Sequence, residues 1–89
     1  MKASPNYILR EIADEIMLIP VGTSAAKLTG MIVLNEAAGT IFKALSEDRT
    51  LEELIQVVTD AYGIDAETAR ADVEEFLQDL RKIDALIEA

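Results

Sequence analysis

With 89 residues and 51% hydrophobic composition, the chain has enough apolar material for one domain with one core and too little for a second. It contains no cysteine and no histidine, which excludes disulfides, thiolate nucleophiles and thiolate metal sites and removes the commonest general base and metal ligand. A formal charge of −9 disfavours nucleic acid, whose binding draws on lysine and arginine displacing counterions from phosphate, and favours basic or neutral partners. No apolar run approaches the roughly 18 residues of a bilayer span, and the opening MKASPNYILRE lacks the apolar block of a secretory signal. The expected setting is cytoplasmic, without a membrane.

In chain order, Tyr7 to Ile12 and Glu15 to Val21 are rich in isoleucine and leucine and flank Ala13 and Asp14, which predicts a tight hairpin over 7–12 and 15–21. Gly22 to Lys27 is small and polar. The apolar run Met31 to Leu34 then predicts a third strand over 31–34 and a three-strand meander.

Asn35 offers a side-chain oxygen to cap a helix over 36–45, in which Ala38, Ile41, Phe42 and Leu45 recur at helical spacing. Thr50 and Glu53 form a capping box that opens a second helix over 51–62, with Leu51, Leu54, Ile55, Val58 and Tyr62 on its apolar face and Gly63 suited to a left-handed stop. Asp65 caps a third helix over 66–83, where Ala69, Val73, Phe76, Leu77, Leu80 and Ile83 make one apolar stripe through a charged background. The expected fold is therefore α+β: a three-stranded antiparallel sheet followed by three α-helices, winged helix-turn-helix-like, as a single domain over 1–89.

A winged helix suggests duplex DNA with the third helix as reader. From Thr50 onward, however, acids outnumber the bases Arg70, Arg81 and Lys82 by eleven to three, and such a helix is repelled by phosphate before a base can be reached. Glu52 with Glu53, and Glu74 with Glu75, read as solvated surface rather than catalytic pairs, because neighbouring residues on a helix diverge and no apolar pocket is evident to raise a pKa. No segment has the alternating oxygen ligands of a calcium loop, so no metal is expected. An acyl carrier needs a serine in an Asp-Ser-Leu context opening a helix, and Ser4, Ser24 and Ser46 lack it. The chain is expected not to be an enzyme and to need no cofactor.

The positive signal lies in the strands. Ile16, Met17, Leu18, Ile19 and Val21 give the second strand apolar side chains on both faces, and Met31 to Leu34 do the same for the third. In a meander the third strand is an edge, and an apolar edge without lysine or proline invites another chain to pair with it. An extended peptide laid there gains backbone hydrogen bonds and sends alternate side chains into a groove beside a helix. A short edge folded under a loop is the alternative on periodicity alone.

The stretch from Met31 onward resembles the PqqD family. The resemblance is carried by Leu34-Asn35-Glu36 followed by Ala37, Ala38, Ile41 and Leu45, by Arg49-Thr50-Leu51-Glu52-Glu53, and by the Tyr62-to-Asp72 link into Val73, Phe76 and Leu77. It implies three strands and three helices acting as a RiPP recognition element: a non-catalytic chaperone that binds the leader of a ribosomally made precursor peptide and presents it to a modifying enzyme such as a radical S-adenosylmethionine (SAM) maturase. It further implies that the leader adds as an antiparallel strand to the third strand, facing the third helix, which by position falls on Met31, Ile32, Val33 and Leu34.

Successive helical residues turn by about 100°, so Asp72, Phe76, Asp79 and Ile83 run along one border of the third helix and Arg70 and Arg81 along the other. The acidic border is expected to face the peptide and to select lysine or arginine, with Val73, Leu77 and Leu80 given to the core. The competing expectation is a winged-helix interaction, oligomerisation or regulatory domain without a leader ligand. A homodimer would hide the same two-faced strands.

Overall fold

The computed structural model describes residues 1–22 and 32–88. Strands β1 (Lys2–Ala3), β2 (Tyr7–Ile12), β3 (Glu15–Pro20) and β4 (Ile32–Leu34) precede helices α1 (Glu36–Ala44), α2 (Leu51–Tyr62) and α3 (Ala66–Lys82), and β5 (Leu86–Ile87) follows them. The larger sheet has the order β2-β3-β4, all antiparallel. With α2 and α3 folded back across the Gly63 turn, the architecture is the α+β, winged helix-turn-helix-like arrangement read from the sequence.

Local chemistry fixes each joint. Ala13 and Asp14 both take positive φ, 51° and 69°, the conformation that lets a two-residue turn follow the twist of its strands. Asn35 accepts from the Ala38 amide at 2.8 Å, so a single residue separates β4 from α1. The Thr50–Glu53 box is closed in both directions, at 3.2 and 2.9 Å. Gly63 ends α2 at φ 64°, and Asp65 caps α3 by accepting from the Thr68 amide at 2.7 Å.

Three expected boundaries shorten by one residue. Val21 leaves β3 because Gly22, at φ 59°, turns the chain away, although the Val21 amide still donates to the Asn6 carbonyl at 2.7 Å. Leu45 and Ile83 are the C-caps of α1 and α3 rather than their last turns. Met31, expected to open the third strand, lies outside the described residues.

The strands β1 and β5 were not expected. They pair antiparallel, Lys2 opposite Ile87 and Ala3 opposite Leu86. The Ala3 amide donates to the Leu45 carbonyl at 2.8 Å and the Ser4 amide to the Ala85 carbonyl at 2.9 Å. Asp84, at φ 59°, makes the reversal after α3 that brings Ala85 back to the Leu80 carbonyl.

The core lies between the inner face of the sheet and the helices. Leu18 from β3, Ile41 from α1, Leu54 and Val58 from α2, and Val73, Leu77 and Leu80 from α3 are fully or almost fully buried, each contributing about 1.5–3 kcal/mol relative to exposure. α1 approaches the sheet closely at Gly39, where a Cβ would meet Ile16 Cδ1 at 3.0 Å. Ladder register puts Arg10, Met17 and Val33 together on the opposite face.

Candidate functional site

β4 ends the order of its sheet, so among the described residues its outer edge has no partner strand. In an antiparallel ladder alternate residues turn their backbone groups to the neighbour and away from it. Part of β4's backbone therefore points outward, without a strand partner among the described residues.

Directly beside that edge is an open groove of about 530 Å³. β4 forms one wall with Ile32, Val33 and Leu34, and α3 forms the other with Asp72, Glu75, Phe76, Asp79, Lys82 and Ile83. Asn35, Ala37 and Ala38 close one end, because the one-residue connection from β4 sets the first turn of α1 across it. Leu18, Ile41 and Leu80 form an apolar floor continuous with the core.

Every expected site residue among the described ones, Ile32, Val33, Leu34, Asp72, Phe76, Asp79 and Ile83, lines this groove. Ile32 and Leu34 pack inward against the core while Val33 remains 63% exposed, as alternation along a strand requires. Phe76 belongs to both places: it is 8% exposed within the core cluster and also lines the groove.

The two borders of α3 differ in charge as well as position. On the far border Arg70 binds Glu52 of α2 at 2.9 Å and Glu74 at 3.5 Å, and the Glu52 carboxylate raises the guanidinium above its ordinary value. Arg81 binds Glu88 at 2.7 Å with the same consequence. Both arginines are thus engaged away from the groove. On the groove border Asp72 and Glu75 form no ion pair among the described residues, and Asp79 meets Lys82 only at 4.0 Å.

Sequence reading missed Glu75, Lys82, Ala37 and Ala38 as lining residues. Glu75 follows Asp72 by three positions, so the periodicity that singled out Asp72 also reaches it; its pairing with Glu74 drew it into the reading of plain surface charge. The lining role of Ala37 and Ala38 follows from the single capping residue after β4, a signal available in Leu34-Asn35-Glu36.

Among the described residues no group of three or more acidic side chains is arranged to hold a metal ion, and no buried side-chain nitrogen or oxygen lacks a partner. No helix of the described residues is long and apolar enough to cross a membrane.

Residues 15–86 match the family described as coenzyme PQQ synthesis protein D, PqqD. No curated protein matches the chain. Among solved structures it is similar to TbiB1 in complex with the TbiA(beta) leader peptide, at 25% sequence identity and a TM-score of 0.78, over 100% of this chain and 98% of that one. Since the match runs from the start of β3 through β4 and all three helices, well over half of the chain, the chain belongs to the PqqD family.

Proposed function

We propose that the chain is a leader-peptide recognition module that binds the leader of a ribosomally made precursor as an extra antiparallel strand on β4 and presents it to a modifying enzyme. The observation that carries this reading is the juxtaposition of an unpartnered strand edge with an apolar-floored groove on the same side of the sheet. Backbone groups at the edge supply affinity that is indifferent to sequence, and the groove supplies selection through alternate side chains. The related structure, solved with a leader peptide, supports the class of ligand.

The chain's part is binding and presentation, without bond making; the family resemblance points to a radical SAM maturase as the partner enzyme. Apolar contacts and strand hydrogen bonds dominate affinity, because exposed ion pairs contribute only about 0–1 kcal/mol each.

The test is an amide NMR titration of the labelled chain with the leader half of a precursor encoded beside it. Saturable shifts confined to Ile32–Leu34 and the groove border of α3 are expected. A folded sample that responds to none of the neighbouring candidates would move the assignment to an interaction or oligomerisation domain. That second reading draws on the exposed apolar residues of the other sheet face, Ile12 and Val33.

A further inference from the structure

Charge is distributed unevenly along the α3 wall. Among the described residues, Asp72 in its earlier half and Glu75 near its middle have no ion-pair partner, whereas near its end Lys82 sits across from Asp79 and offsets it. The groove therefore has one strongly acidic end and one nearly balanced end that carries an exposed ammonium.

Hydrogen bonds and register fix which end is which. The Tyr7 hydroxyl donates to the Ile83 carbonyl at 2.6 Å, and Tyr7 lies opposite Pro20. On β4, Ile32 lies opposite Leu18 and Leu34 opposite Ile16, so Ile32 is the residue nearer the Pro20 end. Ile83 and Lys82 accordingly belong to the Ile32 end. Asp72, eleven residues before Ile83 and about 16 Å back along the helix axis, lies toward Leu34 and the start of α1. A strand added antiparallel to β4 enters at Leu34 and leaves at Ile32.

We propose that the groove reads the order of charge in its peptide: a lysine or arginine on the N-terminal side of the apolar residue that fills the floor, and an acidic residue on its C-terminal side. This rests on the strand-addition reading above and adds direction and spacing to it. Asp72 and Lys82 are about 15 Å apart along the axis. Side chains on one face of an extended peptide recur about every 6.7 Å. The basic residue, the apolar anchor and the acidic residue thus occupy positions i, i+2 and i+4 of the peptide. A peptide with the opposite order sets its acid against Asp72 and Glu75 and its base against Lys82, which penalises the wrong direction as well as the wrong sequence.

Phage-displayed random dodecapeptides selected on the intact chain supply the probe. An enriched peptide is then synthesised together with a twin in which only the acidic and basic positions are exchanged. The twin is expected to bind about five- to tenfold more weakly at low salt, and the gap should narrow to less than about twofold at 0.5 M salt. The paired substitutions Asp72→Lys and Glu75→Lys, both on the exposed border, should invert the preference while leaving the fold intact.

Equal affinity of the twins, or a tighter twin, with amide shifts still centred on Ile32–Leu34, overturns the charge order and leaves strand addition standing. Enriched peptides that bind without shifting those residues, or a selection that enriches none, remove both.

Discussion

Two clefts among the described residues stand in contrast, and the larger is the weaker candidate. The rear cleft, about 670 Å³ between the β1 segment, β2 and α1, is lined by Lys2, Ser4, Tyr7, Leu9, Phe42 and Ile87 among others. It looks equipped for a ligand, with two lysines and two serines. Its backbone and several of its side chains are occupied, however: Lys43 holds Glu11 at 2.7 Å, the Ala3 and Ser4 amides are bonded to Leu45 and Ala85, and the Ser4 hydroxyl accepts from the Asn6 amide. The front groove is smaller but, among the described residues, has a strand edge with backbone groups unspent and two acids without partners. Unspent backbone hydrogen bonding along a strand edge, rather than volume, separates the cleft suited to recognition from the one that is a seam of the fold.

The two phenylalanines test this contrast most directly, since Phe76 lines the front groove and Phe42 the rear cleft at nearly equal exposure, 8% and 6%. Truncation of either to alanine is expected to cost about 3 kcal/mol in urea unfolding, through lost burial and the cavity left behind. Only Phe76→Ala should also weaken leader binding, by about tenfold or more given the share of affinity that buried aromatic anchors carry. Phe76→Leu and Phe42→Leu provide milder partners should either alanine variant fail to fold. Equal binding losses at both sites would erase the distinction between the clefts.

Tyr7→Phe comes next in size. The Tyr7 ring lines the rear cleft while its hydroxyl donates to Ile83 at the end of the front wall, so this hydrogen bond joins the two regions. Its loss is expected to cost about 1 kcal/mol and to speed amide exchange over the last turn of α3, with little change near β1. Asp79→Asn should matter less. Lys82 already offsets that carboxylate, and a leader titration should register a change of under about threefold, well below that of Phe76→Ala.

Acid provides the smallest effect and reaches the two regions through different carboxylates. The Thr68 amide bond holds the Asp65 carboxyl below its ordinary value, and Asp65 caps the helix that walls the front groove. At the rear, the hydrogen bond from the Met1 amine does the same to Asp48. A carboxyl whose folded pKa is depressed adds stability that is complete above its unfolded pKa and lost as pH falls through the folded one. Melting midpoints should therefore hold steady down to about pH 5 and decline below it. Asp65→Asn keeps an acceptor at the cap but cannot titrate there, so the gap between parent and variant should close as pH falls. A constant gap across that range would assign the acid sensitivity elsewhere.

The helices were legible in the sequence because their signals are local. Asn35, Thr50 with Glu53, Gly63 and Asp65 each act within four residues of themselves, and each performs its expected role. The hairpin was legible for the same reason. The β1–β5 pair was not: two residues give no periodicity, and its partners are separated by nearly the whole chain. The front groove stood between these cases. Its α3 side followed from helical spacing, but its end wall depends on how sharply Asn35 turns the chain into α1, which composition alone does not state.

Lys2 facing Ile87 places the two ends of the described chain side by side. A short flexible linker could join them into a ring with little closure entropy to overcome. Fresh ends could then be opened at the Ala13–Asp14 turn, whose residues take no part in either cleft. The order in which the elements are threaded is thus separable from their arrangement in space. A permuted chain that begins at β3 and finishes with β2 keeps β4 and α3, and the groove between them, uninterrupted.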